Sequence, residues 1–132
     1  MRLIIRDGTE QGGGLTFDLP EILGALGQKA QSWVWRGRDV RYVSRNERDV
    51  AVIQALAEGR AVDGVEFVTG LEQLLQTIDG EFEATEPGRP APTVVIRAVD
   101  SSWWEVLSDD ATVLAAIRQR FRVVEEDGSD AA

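Results

Sequence analysis

The sequence predicts a single α+β domain with a mostly antiparallel sheet and about four helices packed mainly on one side of it. Segments with apolar residues at helical spacing alternate with short strand-like segments, and some neighbouring strands are joined by short turns. The strand around Phe82 alternates apolar and acidic residues, which is typical of a sheet with one face in water. Since 132 residues suit one domain, we expect the fold to span residues 1–124, followed by a mobile acidic tail at 125–132.

The first third of the chain is predicted to contain a strand, a capped helix and an aromatic strand region. Residues 2–6 are mostly aliphatic and predict a short buried strand. Asp18 and Glu21 have the spacing of a capping box, and the apolar residues that follow at helical spacing predict a helix. Residues 32–44 are rich in aromatic and β-branched residues, which predicts a hairpin or a strand bulged at Gly37.

The middle of the chain is predicted to hold two helices around a short strand. Asn46 and Asp49 mark the start of the first of these helices. Residues 65–68 are predicted to form the strand. Segment 69–78 combines a Thr-x-x-Glu capping box with leucines at helical spacing, which predicts a helix that ends at the turn residues 79–80.

The last part of the chain is predicted to form three strands and a helix. Alternating or β-branched residues predict strands at 81–86, 93–99 and 103–107, and residues 100–102 predict a tight turn between the last two. Ser108 is expected to cap the final helix. The buried face of that helix is expected to consist of Val113, Leu114, Ile117 and Phe121.

Composition argues against most kinds of catalysis. The chain has no histidine and no cysteine, which removes the commonest general base, thiol nucleophiles and the usual zinc ligands. We therefore expect no enzymatic activity, no cofactor and no bound metal. No apolar run approaches the roughly 18 residues of a membrane span, and the early charges do not suit a signal peptide, which predicts a cytoplasmic protein without membrane association.

Charge is unevenly distributed along the sequence. The net charge is −9, and residues 1–60 carry nine basic and eight acidic side chains, against five basic and fifteen acidic in residues 61–132. Such a field repels nucleic acid and steers a basic protein partner toward the acidic half, although solubility alone is the alternative explanation.

Four tryptophans lie in strand-like segments, at positions 33, 35, 103 and 104. Adjacent residues of a strand point to opposite faces, so we expect either Trp103 or Trp104 to be partly exposed. An exposed tryptophan is a frequent anchor of protein interfaces, whereas core packing is the alternative role for each ring.

Acidic residues near this tryptophan pair complete a candidate partner-binding surface. Its predicted members are Asp100, Trp103, Trp104, Glu105, Asp109 and Asp110. Turns and helix N-caps also favour aspartate, so local structural roles are the alternative for the three aspartates, and Glu105 is expected to be freer than they are.

One basic cluster interrupts the acidic sequence. It consists of Arg36, Arg38, Arg41, Arg45 and Arg48. Because the protein is acidic overall, we expect these arginines to pair with its own carboxylates and not to bind nucleic acid.

Residues 65–121 carry a pattern that resembles a known group of proteins. An Ile-Asp-Gly segment at 78–80 is followed by the string Ala-Val-Asp-Ser-Ser-Trp-Trp-Glu-Val at 98–106 and a closing helix. This stretch resembles small uncharacterised bacterial proteins that look like immunity proteins of toxin systems. The resemblance implies a small cytoplasmic protein that neutralises a cognate toxin by covering its active surface, and it assigns no binding residue.

The leading hypothesis is therefore a non-catalytic immunity protein that binds a basic toxin. One alternative is an inhibitor that mimics nucleic acid and blocks a defence protein. Another is a small-ligand-binding or carboxylate-based enzyme domain, which would place two or more acids in a pocket beside Trp33 or Trp35. The sequence leaves the oligomeric state open.

Overall fold

The computed structural model describes residues 1–9, 14–44, 51–71 and 74–127. The helices are α1 Leu19–Leu26, α2 Gln28–Ser32, α3 Ala51–Ala57, α4 Gly64–Gly70 and α5 Ala111–Arg120. The strands are β1 Arg2–Ile5, β2 Val34–Ser44, β3 Val62–Asp63, β4 Leu74–Thr85, β5 Val94–Val99, β6 Trp103–Leu107 and β7 Val124–Asp127. Asn46 and Asp49, predicted to open a helix, lie outside the described residues.

The strands form one antiparallel sheet in the order β3-β2-β4-β5-β6-β1-β7. The hairpin of β5 and β6 places Arg97 opposite Glu105. β1 lies between β6 and β7, so strands from the two ends of the chain are paired. The predicted fold class, an α+β domain with a mostly antiparallel sheet, is confirmed. No helix in the described part of the chain is long and apolar enough to cross a membrane.

One face of the sheet carries the hydrophobic core. Alternate strand residues on this face, such as Trp35, Phe82 and Ile96, are at most 1% exposed. The buried residues of all five helices belong to the same cluster, so the helices pack on this face as the sequence predicts. A period of two along each strand leaves the intervening side chains on the other face.

A row of aromatic side chains runs through the core across the sheet. Trp35 lies 4.8 Å from Phe67 of α4, measured between ring centroids. Phe67 lies 6.1 Å from Phe82, and Phe82 lies 6.4 Å from Trp104 with the rings nearly parallel. These contacts join α4 to the strands β2, β4 and β6.

The predicted capping box of α1 is present. The Asp18 side chain accepts a hydrogen bond from Leu19 N, and Glu21 Oε1 accepts one of 2.8 Å from Asp18 N. Asp18 Oδ2 also accepts a 2.9 Å hydrogen bond from Thr77 N. The cap therefore also fixes the start of α1 against β4.

Segment 64–80 differs most from the sequence prediction. Residues 65–68, predicted as a strand, belong to α4, which Asp63 caps by accepting a 3.0 Å hydrogen bond from Val65 N. Residues 74–80, predicted as the end of a helix and a turn, belong to β4. β4 pairs with β2 along most of its length, and this long-range pairing outweighs the helical spacing of the leucines.

β2 is one continuous strand and not a hairpin. Its register against β4 shifts after Arg38, where Asp39 has φ of 53°, and not at Gly37 as predicted. Gly37 instead permits the close approach of α3, since a Cβ atom there would lie 2.7 Å from the carbonyl oxygen of Leu56. The irregularity was predicted correctly but placed wrongly.

The predicted acidic tail begins inside the sheet. Val124–Asp127 form β7, which pairs with β1 so that Asp127 lies opposite Arg2. The acidic side chains of this segment meet arginines, which removes the self-repulsion expected of a free tail. The described fold therefore extends to Asp127 and not only to residue 124, and residues 128–132 lie outside the described residues.

Candidate protein-binding face

We call the sheet face opposite the core the outer face. Its side chains come from alternate strand positions and from the residue that follows β1. They are Arg2, Ile4, Arg6, Arg36, Arg38, Glu81, Glu83, Val95, Arg97, Val99, Trp103, Glu105, Leu107, Glu125 and Asp127. No helix in the described ranges buries its apolar residues against this face, because those residues belong to the core on the other side.

A network of ion pairs crosses the centre of the outer face. Arg97 Nε donates a 2.6 Å hydrogen bond to Glu81, and Arg38 approaches the same carboxylate at 3.7 Å. Glu105 lies between Arg97 at 3.9 Å and Arg2 at 3.6 Å. Acidic and basic side chains alternate from strand to strand because of the register: Glu81 on β4 lies opposite Arg97 on β5, and Arg97 lies opposite Glu105 on β6.

The network continues to the edge of the sheet at β7. Arg2 pairs with Asp127, and this hydrogen bond raises the pKa of the Arg2 guanidinium above its ordinary value. Arg6 pairs with Glu125 at 3.3 Å. Asp127 and Glu125 are thus paired with Arg2 and Arg6 and do not form an unpaired acidic cluster.

Trp103 is the half-buried aromatic ring of the outer face. Its indole N–H donates a 3.0 Å hydrogen bond to Glu105 Oε2. The guanidinium of Arg6 lies over the ring, 5.1 Å from its centroid. The ring is therefore partly exposed but held from two sides, by one hydrogen bond and one cation–π contact.

Trp104 points in the opposite direction and is 1% exposed. The expectation that one ring of the pair is partly exposed is met by Trp103. Trp104 was also predicted to contact a partner, and its burial against Phe82 removes it from the candidate surface. Glu105 was predicted to be freer than the three aspartates, but its side chain is only 12% exposed and lies between two guanidinium groups.

Asp100 occupies the tight turn between β5 and β6. Asp100 and Ser101 have φ of 49° and 56°, and Ser102 N donates a 2.8 Å hydrogen bond to Val99 O. Positive φ at both central residues is the geometry of a type I′ hairpin turn. Asp100 N donates to Asp79 Oδ1 at 2.8 Å, so the residue has a structural role, while its exposed carboxylate lies at the tip of the hairpin.

Asp109 and Asp110 lie at the other end of β6 and differ in role. Asp110 is the N-cap of α5, accepting a 2.9 Å hydrogen bond from Thr112 N, and the bonds from Thr112 hold its pKa below the ordinary value. Ser108 was predicted as this cap, but its hydroxyl accepts from Asp110 N and donates to Thr93 O. The Asp109 side chain is fully exposed and 3.8 Å from the amino group of Met1.

Two arginines of the basic cluster, Arg38 and Arg41, form ion pairs within the protein, as predicted. Arg38 contacts Glu81 at 3.7 Å and Glu83 at 4.0 Å, and Arg41 contacts Asp79 at 3.1 Å. Arg45 and Arg48 lie outside the described residues. Arg36 is exposed and makes no ion pair within the part of the chain that the structure describes.

The arginines that surround Trp103 and Glu105 were not among the residues predicted from the sequence. Arg2, Arg6 and Arg97 come from two strands far apart in the sequence and meet only because β1 pairs with β6. Arg2 and Arg97 occupy outward positions of their strands, and Arg6 directly follows β1. That alternation is readable in the sequence, but the strand order that brings the three together is not.

A hollow of about 560 Å³ beside Trp104 contains two acids. These are Asp18 and Glu21, and both carboxylates take part in the capping box of α1. No group of three or more acidic side chains within the described ranges is placed to hold a metal ion. The ligand-binding hypothesis expects two or more acids in a pocket beside Trp33 or Trp35. Neither of these rings lines this hollow.

Comparison of the chain with protein-family models, curated proteins and solved structures finds no match. The resemblance to immunity proteins therefore rests on the residues quoted for it. A functional proposal for this chain therefore rests mainly on the geometry of the outer face.

Proposed function

We propose that this chain is a non-catalytic binding protein, an immunity protein that neutralises a basic toxin by covering its active surface with the outer face. The position of Trp103 on the outer face is the observation that supports the proposal. It is the large aromatic ring of a sheet face that no described helix covers, and it remains half-buried there. Tryptophan is the residue most enriched among the hot spots of protein interfaces.

The surroundings of Trp103 suit an anchor that is already in its binding position. Glu105 holds the indole N–H at 3.0 Å, and Arg6 lies over the ring. A side chain that is fixed before binding loses little conformational entropy when a partner covers it. The long side chains around it are likewise ordered by their ion pairs.

Charge supports a basic partner through long-range attraction. The net charge of −9 accelerates the encounter with a cationic protein at low salt. On the outer face itself, acids alternate with arginines. This alternation favours a partner surface with matching charges of both signs, and it disfavours a nucleic-acid mimic, which needs continuous rows of carboxylates.

The position of Trp103 in the sequence supports the immunity assignment. The ring follows the hairpin turn within the string at 98–106, which carries the resemblance to immunity proteins. The best-matching segment of the sequence and the candidate anchor of the structure therefore coincide.

The test uses the product of the gene next to the one encoding this chain. We expect the two proteins to bind and the chain to protect cells that express the neighbour. Trp103→Ala should weaken binding about thirtyfold or more, as loss of a hot-spot tryptophan does. Val65→Ala, at an exposed residue of α4 away from the outer face, is the matched control and should bind as the wild type does. Equal binding by the two variants, or a neighbour that neither binds nor harms cells, would contradict the proposal.

A further inference from the structure

A groove of about 800 Å³ opens at the end of the outer face where β6 leaves the sheet. Val95 and Leu107 lie side by side in its floor, and the segment Pro90-Ala91-Pro92 lines its wall. Leu107 is 5% exposed and yet does not belong to the main hydrophobic core. The groove is thus a second apolar region, on the opposite side of the sheet from the core.

The wall of this groove is held in place. At the start of the wall, Arg89 N donates a 3.1 Å hydrogen bond to Glu86 O and closes a turn. At its end, Thr93 N donates a 2.7 Å hydrogen bond to Ala84 O of β4. The Ser108 hydroxyl donates a 2.7 Å hydrogen bond to Thr93 O and ties the loop to the end of β6. Two prolines further restrict the backbone of the wall. The groove is therefore preformed.

The rim of the groove has one carboxylate available to a partner. The Asp109 side chain is fully exposed, and its described ion-pair partner is the Met1 amino group at 3.8 Å. Asp110 is occupied as the cap of α5. The rim has two cations, the Met1 amino group and Arg89, and Arg89 is paired with Glu86 at 2.7 Å. Asp109 is the most exposed of these charged groups, and its carboxylate remains accessible beside the Met1 amino group.

We propose that this groove binds an apolar side chain of the protein partner, and that Asp109 pairs with a lysine or arginine next to it in the partner. The inference rests on the proposed function and adds a second contact point to it. Trp103 and Leu107 both lie on the outer side of β6, about 13 Å apart at the rise of an extended strand. One partner surface of ordinary size covers both.

A second copy of this chain does not suit the groove. Each copy carries a net charge of −9, and the exposed carboxylate at the rim would approach another acidic surface. A basic partner reverses both effects. The occupant is therefore a different, cationic protein.

The experiment uses short capped peptides as probes and the isotope-labelled full chain in NMR titrations. A peptide with a central Leu-Lys pair should shift the backbone amides of residues 89–95 and 107–110. Replacing its leucine by alanine should weaken binding about tenfold, and replacing its lysine by glutamate should weaken it further at low salt. Asp109→Asn should remove most of the preference for lysine over glutamate.

A variant that fills the groove provides the decisive comparison. Ala91→Arg places a bulky side chain on the exposed wall and should reduce peptide binding at least tenfold. Ala115→Arg adds the same side chain at an exposed position of α5 and should leave it unchanged. Equal binding by both variants, or amide shifts away from the groove, overturns the proposal. So does self-association of the chain that Ala91→Arg abolishes, because the occupant would then be a second copy.

These results separate the groove from the proposed function. If Trp103→Ala abolishes binding of the neighbouring gene product while the peptides fail to bind at the groove, only the groove inference is wrong. If the peptides bind at the groove and the neighbour product does not bind the chain, the proposed function is wrong and the groove remains.

Discussion

Replacing each ring of the adjacent tryptophan pair by alanine should affect stability very differently. Trp104 is 1% exposed, lies in the core and is nearly parallel to Phe82 at 6.4 Å. Removing a fully buried tryptophan leaves a large cavity, which costs about 3 to 5 kcal/mol of unfolding free energy. Trp104→Ala should therefore remove a large fraction of the total stability of a domain of this size.

Trp103→Ala removes less. The ring is half-buried, and its specific contacts are the hydrogen bond to Glu105 and the cation–π contact with Arg6. These contribute about 1 kcal/mol and 0.5 to 1 kcal/mol respectively. With the partial loss of apolar burial, we expect Trp103→Ala to cost about 2 kcal/mol, clearly less than Trp104→Ala.

Urea unfolding followed by circular dichroism measures both costs, because that signal does not depend on which tryptophan is removed. The midpoints should fall in the order wild type, Trp103→Ala, Trp104→Ala, with similar slopes. Equal losses, or a larger loss for Trp103→Ala, would show that the faces of β6 are assigned wrongly. Trp103 would then not be the partly exposed ring that a binding anchor requires.

Two further predictions concern a close backbone approach and a helix cap. Gly37→Ala should destabilise the fold by about 1 to 3 kcal/mol, because the new Cβ would lie 2.7 Å from Leu56 O and α3 must shift. Gly24→Ala is its control, since nothing lies within 4 Å and alanine favours the helix, so thermal unfolding should show a small gain. The hydrogen bonds from Thr112 hold the pKa of Asp110 in the folded protein below its ordinary value of 3.8. The ionised Asp110 therefore stabilises the fold fully above pH 3.8, and this stabilisation disappears as the pH falls through the lower folded pKa. Asp110→Asn keeps a capping oxygen but cannot titrate. The difference in unfolding free energy between this variant and wild type should therefore shrink in acid. A difference that does not change with pH contradicts this prediction.

Elements with strong local signals could be predicted from the sequence. The capping box of Asp18 and Glu21 fixes the start of α1 through contacts three residues apart. The alternation at 81–85 places Phe82 and Ala84 in the core, as observed. Both signals act over a few residues and need no knowledge of the rest of the fold.

Segment 69–80 shows why the other elements could not be predicted in this way. Its leucines have helical spacing, yet residues 74–80 are held in β4 by their neighbours on β2 and, at Gly80, on β5. Gly80 looked like a turn residue. In the structure it lies within the strand, where a Cβ atom would be 3.2 Å from Val40 Cα. Long-range contacts decide this segment, and one sequence does not reveal them.

The same limit applies to the candidate site. That Trp103 and Trp104 point in opposite directions follows from strand geometry alone. The environment of Glu105 does not, because Arg2 reaches it from the first strand and Arg97 from the neighbouring hairpin strand. Glu105, expected to be freer than the neighbouring aspartates, is consequently the centre of an ion-pair network.

The hairpin turn at Asp100 connects the stability of the fold to the candidate binding face. The turn at residues 100–102, with positive φ at Asp100 and Ser101, leads into β6 so that Trp103 lies opposite Val99. A shift of one residue would turn Trp104 out of the core and bring Trp103 into it. The turn is also tied to β4, where Ile78 O accepts a 2.9 Å hydrogen bond from Ser101 N. The side chains that a partner would meet are therefore selected by the same backbone geometry that completes the core.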